Sequence, residues 1–191
     1  MTVDMEHLLN AAIEAVRRGM NIALHPPVEL DVHTKANRND LVTAVDKAIE
    51  ADIASHLHAA TGLPLLGEEG HAVDSFAGLV WVLDPIDGTM NYVETHRDYA
   101  VSLALCEDGI PVLGVVADVV AGHIYHAIRG QGAWVDGTPL AQTGDVASYR
   151  DAIIITDIKE ILALPRLARA LQDSRGHRRY GSAALECVEV A

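Results

Sequence analysis

Two carboxylates, Asp84 and Asp87, interrupt the otherwise apolar stretch VWVLDPIDGTMNY at residues 80–92. A helix that begins near Gly88 and Thr89 would point its free N–H groups at an anion such as phosphate. Carboxylates beside such a site repel the anion unless cations lie between them, and hard carboxylate oxygens suit Mg²⁺. The stretch therefore predicts a site for divalent metal and phosphate.

The spacing of these two acids separates two kinds of phosphatase chemistry. Phosphatases of the haloacid-dehalogenase type also end an apolar strand with two acids, but a single residue separates them. Here Pro85 and Ile86 intervene, which argues against an aspartyl-phosphate mechanism. Pro85 also biases Asp84 towards extended backbone, so we expect the strand to end at Asp84. A plain polar turn with a capping aspartate is the non-functional interpretation of the stretch.

Further acids lie at the ends of other predicted elements. Glu68 and Glu69 belong to LLGEEG, which closes a short apolar strand. If that strand ends beside the strand of Asp84, Glu68 comes next to Asp84. Asp40 and Asp46 belong to DLVTAVD, near the start of a predicted helix, where DLVT alone would be an ordinary helix cap.

The motifs DLVTAVD, GEEG, WVLDPIDGTMNY and GSAAL, in this order and at these intervals, resemble the inositol monophosphatase family. The similarity runs from about Lys35 to the last residue. The resemblance implies Mg²⁺-dependent, lithium-sensitive hydrolysis of a small phosphorylated substrate, with two or three Mg²⁺ ions per site in a complete protein. The GSAAL segment favours inositol monophosphate over the substrates of the fructose bisphosphatase and histidinol-phosphatase branches. The family also implies a homodimer.

The resemblance assigns four metal ligands. Glu68, Asp84 and the backbone carbonyl of Ile86 match ligands of the first metal ion. Asp84 and Asp87 match ligands of the second. Lys35 matches a position where relatives often carry a lysine, and it is left without a role.

The resemblance also assigns catalytic and substrate-binding positions. Thr89 and Asp46 match the pair that orients and activates the attacking water. The positions that match contacts to the substrate phosphate and its alcohol are Asp87, Gly88, Thr89, Gly181, Ser182 and Ala183. Arg178 and Arg179 precede the last group, and they are either substrate contacts or a solvated strand end.

One signature of the family is missing from the chain. Relatives carry a Trp-Asp pair beyond the segment matched by GSAALECVEVA, whereas no tryptophan follows Trp134 here. We therefore expect a C-terminally truncated member that lacks a third carboxylate at the second metal. The 191 residues alone should be weakly active or inactive, and prone to association. The alternatives are a non-catalytic regulatory protein, an inactive fragment, or a related sugar or nucleotide phosphatase.

The elements around these motifs predict an α+β fold with αβαβα layers. N-terminal helices would pack on an antiparallel sheet in residues 1–145, followed by an incomplete α/β unit in residues 146–191. Helical periodicity and turn signals give these elements: helices at 3–24 (capped by Asp4), 40–62, 159–174 and from Ser182; strands at 63–70, 79–84, 152–156 and 177–181; hairpin strands in 99–140; and a loop at 35–40.

Composition narrows the function classes. The net charge is −13, from 27 acids against 14 bases, and no basic face predicts nucleic-acid binding. No apolar run has the length of a membrane span, and the first residues lack a signal-peptide pattern, so we expect a cytoplasmic protein. Cys106 and Cys187 are expected to be reduced core residues, with Trp81 and Tyr92 also in the core. The histidines do not predict a metal site.

Overall fold

Two helices form the first layer of the fold. The computed structural model describes residues 4–27, 32–34, 41–141, 144 and 148–191. Helix α1 (Met5–Leu24) begins at the predicted cap Asp4, whose side chain accepts a hydrogen bond from the backbone N–H of His7. Helix α2 (Ala44–Thr61) packs against α1 and ends at Gly62, which adopts left-handed backbone.

The predicted start of the second helix at residue 40 is wrong. Strand β1 (Val32–Thr34) pairs with β2 (Leu41–Thr43) in antiparallel fashion. Helix α2 therefore begins only after Thr43, which caps it in a reciprocal capping box with Asp46. Lys35, Asp40 and the loop predicted at 35–40 lie outside the described residues.

A seven-stranded sheet forms the second layer. Its strands follow one another in chain order, and only the pair β3–β4 is parallel. The strands are β3 (Leu65–Gly67), β4 (Leu79–Asp87), β5 (Ala100–Glu107), β6 (Ile110–Asp118), β7 (His123–Ile128), β8 (Gly132–Val135) and β9 (Thr138–Pro139). Between β4 and β5 lies the short helix α3 (Thr89–Glu94).

The hairpin turns form where the sequence predicts them. Asp108 and Gly109 join β5 to β6, and Asp136 and Gly137 join β8 to β9. All four residues have positive φ, between 49° and 80°. Two central residues with positive φ match the right-handed twist of the strands that they connect, which explains the Asp-Gly pairs.

The core lies between the helices and one face of the sheet. Val16 of α1 and Ile49 of α2 are fully buried against residues of alternating strand positions, such as Leu103 and Val115. The predicted core residue Trp81 is fully buried, and Tyr92 is buried too. This packing holds the strand ends that carry the acidic residues.

Residues 148–191 form a smaller unit that contains its own two-stranded sheet. Strand β10 (Ile153–Ile155) pairs in parallel with β11 (Gly176–Arg178). Two helices, α4 (Ile158–Ala163) and α5 (Pro165–Asp173), stand where one helix was predicted at 159–174. The helix is interrupted because Pro165 cannot continue it but suits the first position of a new one.

The last helix, α6 (Ala183–Val190), contacts β5 and β6. Gly114 and Val116 face it, whereas their neighbours Leu113 and Val115 belong to the core beneath α1, so α6 lies on the opposite face of the sheet. The mixed α+β fold is thereby confirmed. The division at residues 145 and 146 stays a prediction.

The two cysteines differ. Cys106 is buried as predicted, but Cys187 is exposed because it lies on the side of α6 that lines an open groove against β6 and β7. Both are free thiols. None of the described helices is long and apolar enough to cross a membrane.

Candidate active site

Two parallel strands bring the first pair of acids together. Strand β3 pairs with β4 so that Gly67 lies opposite Leu83. Glu68 follows Gly67 at the end of β3, and Asp84 follows Leu83 in β4. Because the two strands are parallel, these residues lie at the same edge of the sheet. The charge of Glu68 contributes to raising the pKa of Asp84, after the larger effect of burial. The predicted neighbourhood of Glu68 and Asp84 is confirmed.

A bulge in β4 adds Asp87 to the same side. Asp84 pairs with Ser102 and Asp87 with Ala100, so three steps along β4 match two along β5. Residues three apart in a regular strand point to opposite faces, and one extra residue restores the same face. Both carboxylates accordingly line one cavity of about 370 Å³. Because the strand continues through the bulge to Asp87, the predicted strand end at Asp84 is wrong.

Helix α3 begins beside these acids, as predicted. Gly88 precedes it with φ of 93°. A Cβ atom there would lie 3.2 Å from the carbonyl oxygen of Asp98 and 3.3 Å from that of Gly181. Only glycine fits this close approach without strain. The hydroxyl of Thr89 donates to the carbonyl of Ile86 at 3.0 Å.

Asp84 is the most perturbed group of the cavity. Burial, together with the charges of Glu68, Asp87 and Asp46, raises its pKa to about 7. Its Oδ1 atom is buried and has no hydrogen-bond partner within the described part of the chain. A buried carboxylate oxygen without a partner, among other acids, fits a bound cation.

The cavity is not a ready-made metal cage. Among the described residues, no three Asp, Glu, His or Cys side chains converge in a metal-ligand arrangement. The donor set is nevertheless composed of hard oxygens, which suit Mg²⁺ rather than a soft metal.

Asp46 is buried and is not among the residues that line the cavity. Its Oδ2 accepts hydrogen bonds from the backbone N–H and the hydroxyl of Thr43, at 2.9 and 2.5 Å. Burial raises the pKa of Asp46, and the bonds from Thr43 oppose this. No hydrogen bond joins Asp46 to Thr89 in the described structure, so their pairing around a water molecule stays a prediction.

The smaller unit reaches the cavity through Asp87. The hydroxyl of Ser182 and the backbone N–H of Ala184 donate to its Oδ2 atom, at 2.5 and 2.6 Å. Nearby, the side-chain amide of Asn91 donates to the carbonyl of Tyr180 at 2.7 Å. The structure thus brings Ser182 to Asp87 and places Gly181 on the cavity wall, whereas the binding roles of Gly181, Ser182 and Ala183 stay predictions.

Two basic residues line the far wall of the cavity, Lys159 and Arg179. Arg179 is held by Asp157 at 2.6 Å. The guanidinium of Arg178 turns to the carbonyl of His177 instead. The sequence motifs do not single out Lys159, because its place on the cavity wall depends on contacts between distant segments that a predicted helix start does not contain.

Glu50 is a residue that the motifs do not reveal. It is buried in α2, and both of its carboxylate oxygens accept hydrogen bonds from the loop that carries Glu68. Its position four residues after Asp46, and next to the core residue Ile49, places it on the buried helix face. That spacing could have identified it.

Comparison with known proteins identifies the family of this chain. Residues 4–191 match the profile of the Inositol monophosphatase family, and the chain belongs to this family. An inositol-1-monophosphatase of Bacillus subtilis is 39% identical over 170 residues, which cover 85% of this chain and 64% of the relative. A protein named Nus factor SuhB, from Pasteurella multocida, is 31% identical over 98% of this chain and 73% of its own length.

Solved structures share the fold. Inositol monophosphatase II from Staphylococcus aureus is 36% identical, with a TM-score of 0.81 over 96% of this chain and 70% of that one. An IMPase/NADP phosphatase, crystallised with Mg²⁺ and phosphate, is 28% identical, with a TM-score of 0.86 over 97% of this chain and 71% of its own.

Proposed function

We propose that this protein hydrolyses a small phosphate monoester in a Mg²⁺-dependent reaction, and that inositol monophosphate is its preferred substrate. The observation that carries the proposal is Asp84, a buried carboxylate with an unpartnered oxygen in an acidic cavity. The names of the relatives support the choice of an inositol phosphate. The Mg²⁺ and phosphate held by a structural neighbour support the metal.

We assign the cation to the acidic wall. Glu68, Asp84, Asp87 and the carbonyl of Ile86 would hold Mg²⁺, with two or three ions in a complete site. When bound, the ions supply Lewis-acid stabilisation of phosphate charge and lower the pKa of water. The carbonyl of Ile86 can serve while it accepts from Thr89, because a carbonyl oxygen has two lone pairs.

The protein's own residues then orient the substrate. Gly88, which precedes α3, and Gly181 both line the cavity, where the substrate phosphate would bind. Positive charge from Lys159 and Arg179 attracts an anionic substrate into a cavity that is otherwise acidic. In our proposal the hydroxyl of Thr89 turns away from the carbonyl of Ile86 and binds a water molecule together with Asp46. The carboxylate of Asp46 then removes a proton from that water molecule.

A regulatory role is the second candidate, since a relative with the name Nus factor matches 98% of this chain. A role in binding another protein would not need the acidic cavity to hold a cation. Millimolar Mg²⁺ would then leave the melting temperature unchanged, whereas a ligand that binds only the folded protein raises it.

The test is phosphate release from inositol 1-phosphate, with and without Mg²⁺, beside Asp84→Asn. The melting temperature is measured in the same samples, so that metal binding is detected independently of turnover. A rise with Mg²⁺ that Asp84→Asn removes supports the proposal, with or without slow turnover. If the protein shows no turnover and Mg²⁺ does not raise its melting temperature, the proposal is overturned. Adenosine 2′-phosphate as a parallel substrate tests a nucleotide preference, and sedimentation tests the expected homodimer.

A further inference from the structure

A single carboxylate organises the loop that carries Glu68. Glu50 is 2% exposed on a helix face whose other members, such as Ile49 and Ile53, are fully buried. An ionised carboxylate in such surroundings is costly unless hydrogen bonds replace its lost water. The sequence therefore retains a charged group in the core for a reason other than packing.

The hydrogen-bond donors all come from residues 69–71. The backbone N–H of Glu69 donates to Oε2 of Glu50 at 2.7 Å. The backbone N–H of His71 donates to Oε1 at 3.0 Å, and the ring atom Nδ1 of His71 lies 2.7 Å from the same oxygen. A bond from the N–H of Gly67 to the carbonyl of His71, at 2.9 Å, closes the loop.

The other side of the loop is fixed by contact. A Cβ atom at Gly67 would lie 2.3 Å from Cδ of Glu50, so the strand end rests directly on the carboxylate. Only a residue without a side chain allows this approach. Gly67, the first glycine of the GEEG motif, therefore has no side chain because the Glu50 carboxylate occupies that space.

We propose that Glu50 is a positioning residue for the metal site, because it fixes the backbone on both sides of Glu68. Glu68 lies between Gly67, which touches the carboxylate, and Glu69, which is hydrogen-bonded to it. The backbone of Glu68 therefore cannot move away from Asp84 without losing one of these contacts. This inference rests on the proposed function, in which Glu68 binds a divalent cation.

The experiment measures Mn²⁺ binding through the electron paramagnetic resonance signal of the free ion. In Glu50→Gln the side chain keeps its size, but its amide nitrogen cannot accept the hydrogen bond that one carboxylate oxygen accepts now. We expect Mn²⁺ affinity to fall by about 10- to 100-fold, as for other groups that orient metal ligands. The matched control is Asp52→Asn on the same helix, which removes an exposed ion pair with Arg18 and should leave Mn²⁺ affinity unchanged.

Melting curves in EDTA measure the stability of each variant without metal, so that a loss of stability can be distinguished from a loss of Mn²⁺ affinity. All affinities are measured at a temperature where each variant is folded by circular dichroism, so a purely structural role would lower the melting temperature without changing Mn²⁺ affinity. If Glu50→Gln does not fold, His71→Ala serves instead, because it removes a half-exposed ring and one of the contacts. Its expected loss of affinity is smaller but measurable, and wild-type affinity in the folded variant overturns the inference.

The wild type and Asp84→Asn distinguish the two proposals. If the wild type binds no Mn²⁺, or Asp84→Asn binds as well as the wild type, the proposed function fails. If Asp84→Asn abolishes binding while Glu50→Gln binds like the wild type, the function stands and the positioning role of Glu50 is wrong.

Discussion

The two walls of the cavity are built by different forces. The acidic wall stands on β3 and β4, which belong to a sheet whose residues Trp81, Leu103 and Val115 are fully buried beneath two helices. The opposite wall belongs to residues 148–191, all described, in which Leu185 is the single buried apolar side chain. Apolar residues such as Leu162 are 75% exposed there.

This contrast shows which wall can keep its shape alone. Close packing positions the acids, because a buried side chain in a filled core has few alternative places. A few hydrogen bonds position the substrate side, chiefly those from Ser182 and Ala184 to Asp87. Asp87 therefore belongs to both walls, as a proposed metal ligand and as the acceptor that holds α6.

The largest expected effect comes from a substitution in the core that supports the acidic wall, which is called the packed wall below. Leu105→Ala removes a fully buried side chain and should lower the free energy of unfolding by about 2–5 kcal/mol. Leu162→Ala, in the other unit, should change it by less than about 0.5 kcal/mol. Urea unfolding followed by circular dichroism measures both, and equal losses would contradict the contrast between the walls.

The next effect concerns the charge of Asp84. Its folded pKa of about 7 lies above the ordinary value, so the folded protein binds the proton more tightly than the unfolded chain. The contribution of Asp84 to the stability of the metal-free protein should therefore be fully present at low pH and be lost as the pH rises from about 4 to about 7. Asp84→Asn removes this penalty and should stabilise the metal-free protein at pH 8 by on the order of 2 kcal/mol.

The measurement for this effect is the melting temperature in EDTA at pH 5 and at pH 8. Glu107→Gln, which removes an equal charge from an exposed strand end, is the control and should show no such gain. A loss of stability in Asp84→Asn at pH 8 would mean that the metal-free site does not strain the fold.

A smaller effect is expected from a substitution in the opposite wall, which is held by hydrogen bonds. Ser182→Ala removes the donor to Asp87 and the cap of α6, and should cost about 1–2 kcal/mol. Amide exchange should accelerate in α6 while exchange in β4 and β5 stays slow. Ser174→Ala, in the same unit but bonded only to neighbouring carbonyls, should leave α6 unchanged; faster exchange throughout the sheet would refute the separation of the walls.

The smallest effect sharpens the role of the basic residues. Arg179→Gln removes a cation from the cavity wall and should weaken the binding of inorganic phosphate, in the presence of Mg²⁺, by about 5-fold, or about 1 kcal/mol. Arg178→Gln is the matched control, since the Arg178 side chain donates to the carbonyl of His177. Competition against a fluorescent phosphate analogue measures both affinities, and equal losses would show only a loss of overall charge.

Local patterns revealed much of the acidic wall in advance. The acids, the glycine and the helix start all fall within residues 80–92, and the apolar run before GEEG suggested the strand beside them. The bulge and the true start of α2 depend on pairing with β5 and β1, which a local pattern does not contain. The link from Asp87 to Ser182 spans 95 residues, and the sequence suggested Ser182 as a site residue only through resemblance.

The central claim is that the packed wall holds a divalent cation at Asp84. Isothermal titration with Mg²⁺ at pH 8, for wild type, Asp84→Asn and the charge control Glu107→Gln, tests it most directly. Binding by the wild type and the control, and its loss in Asp84→Asn, is the predicted result. Equal binding by all three proteins, or by none, would contradict the claim.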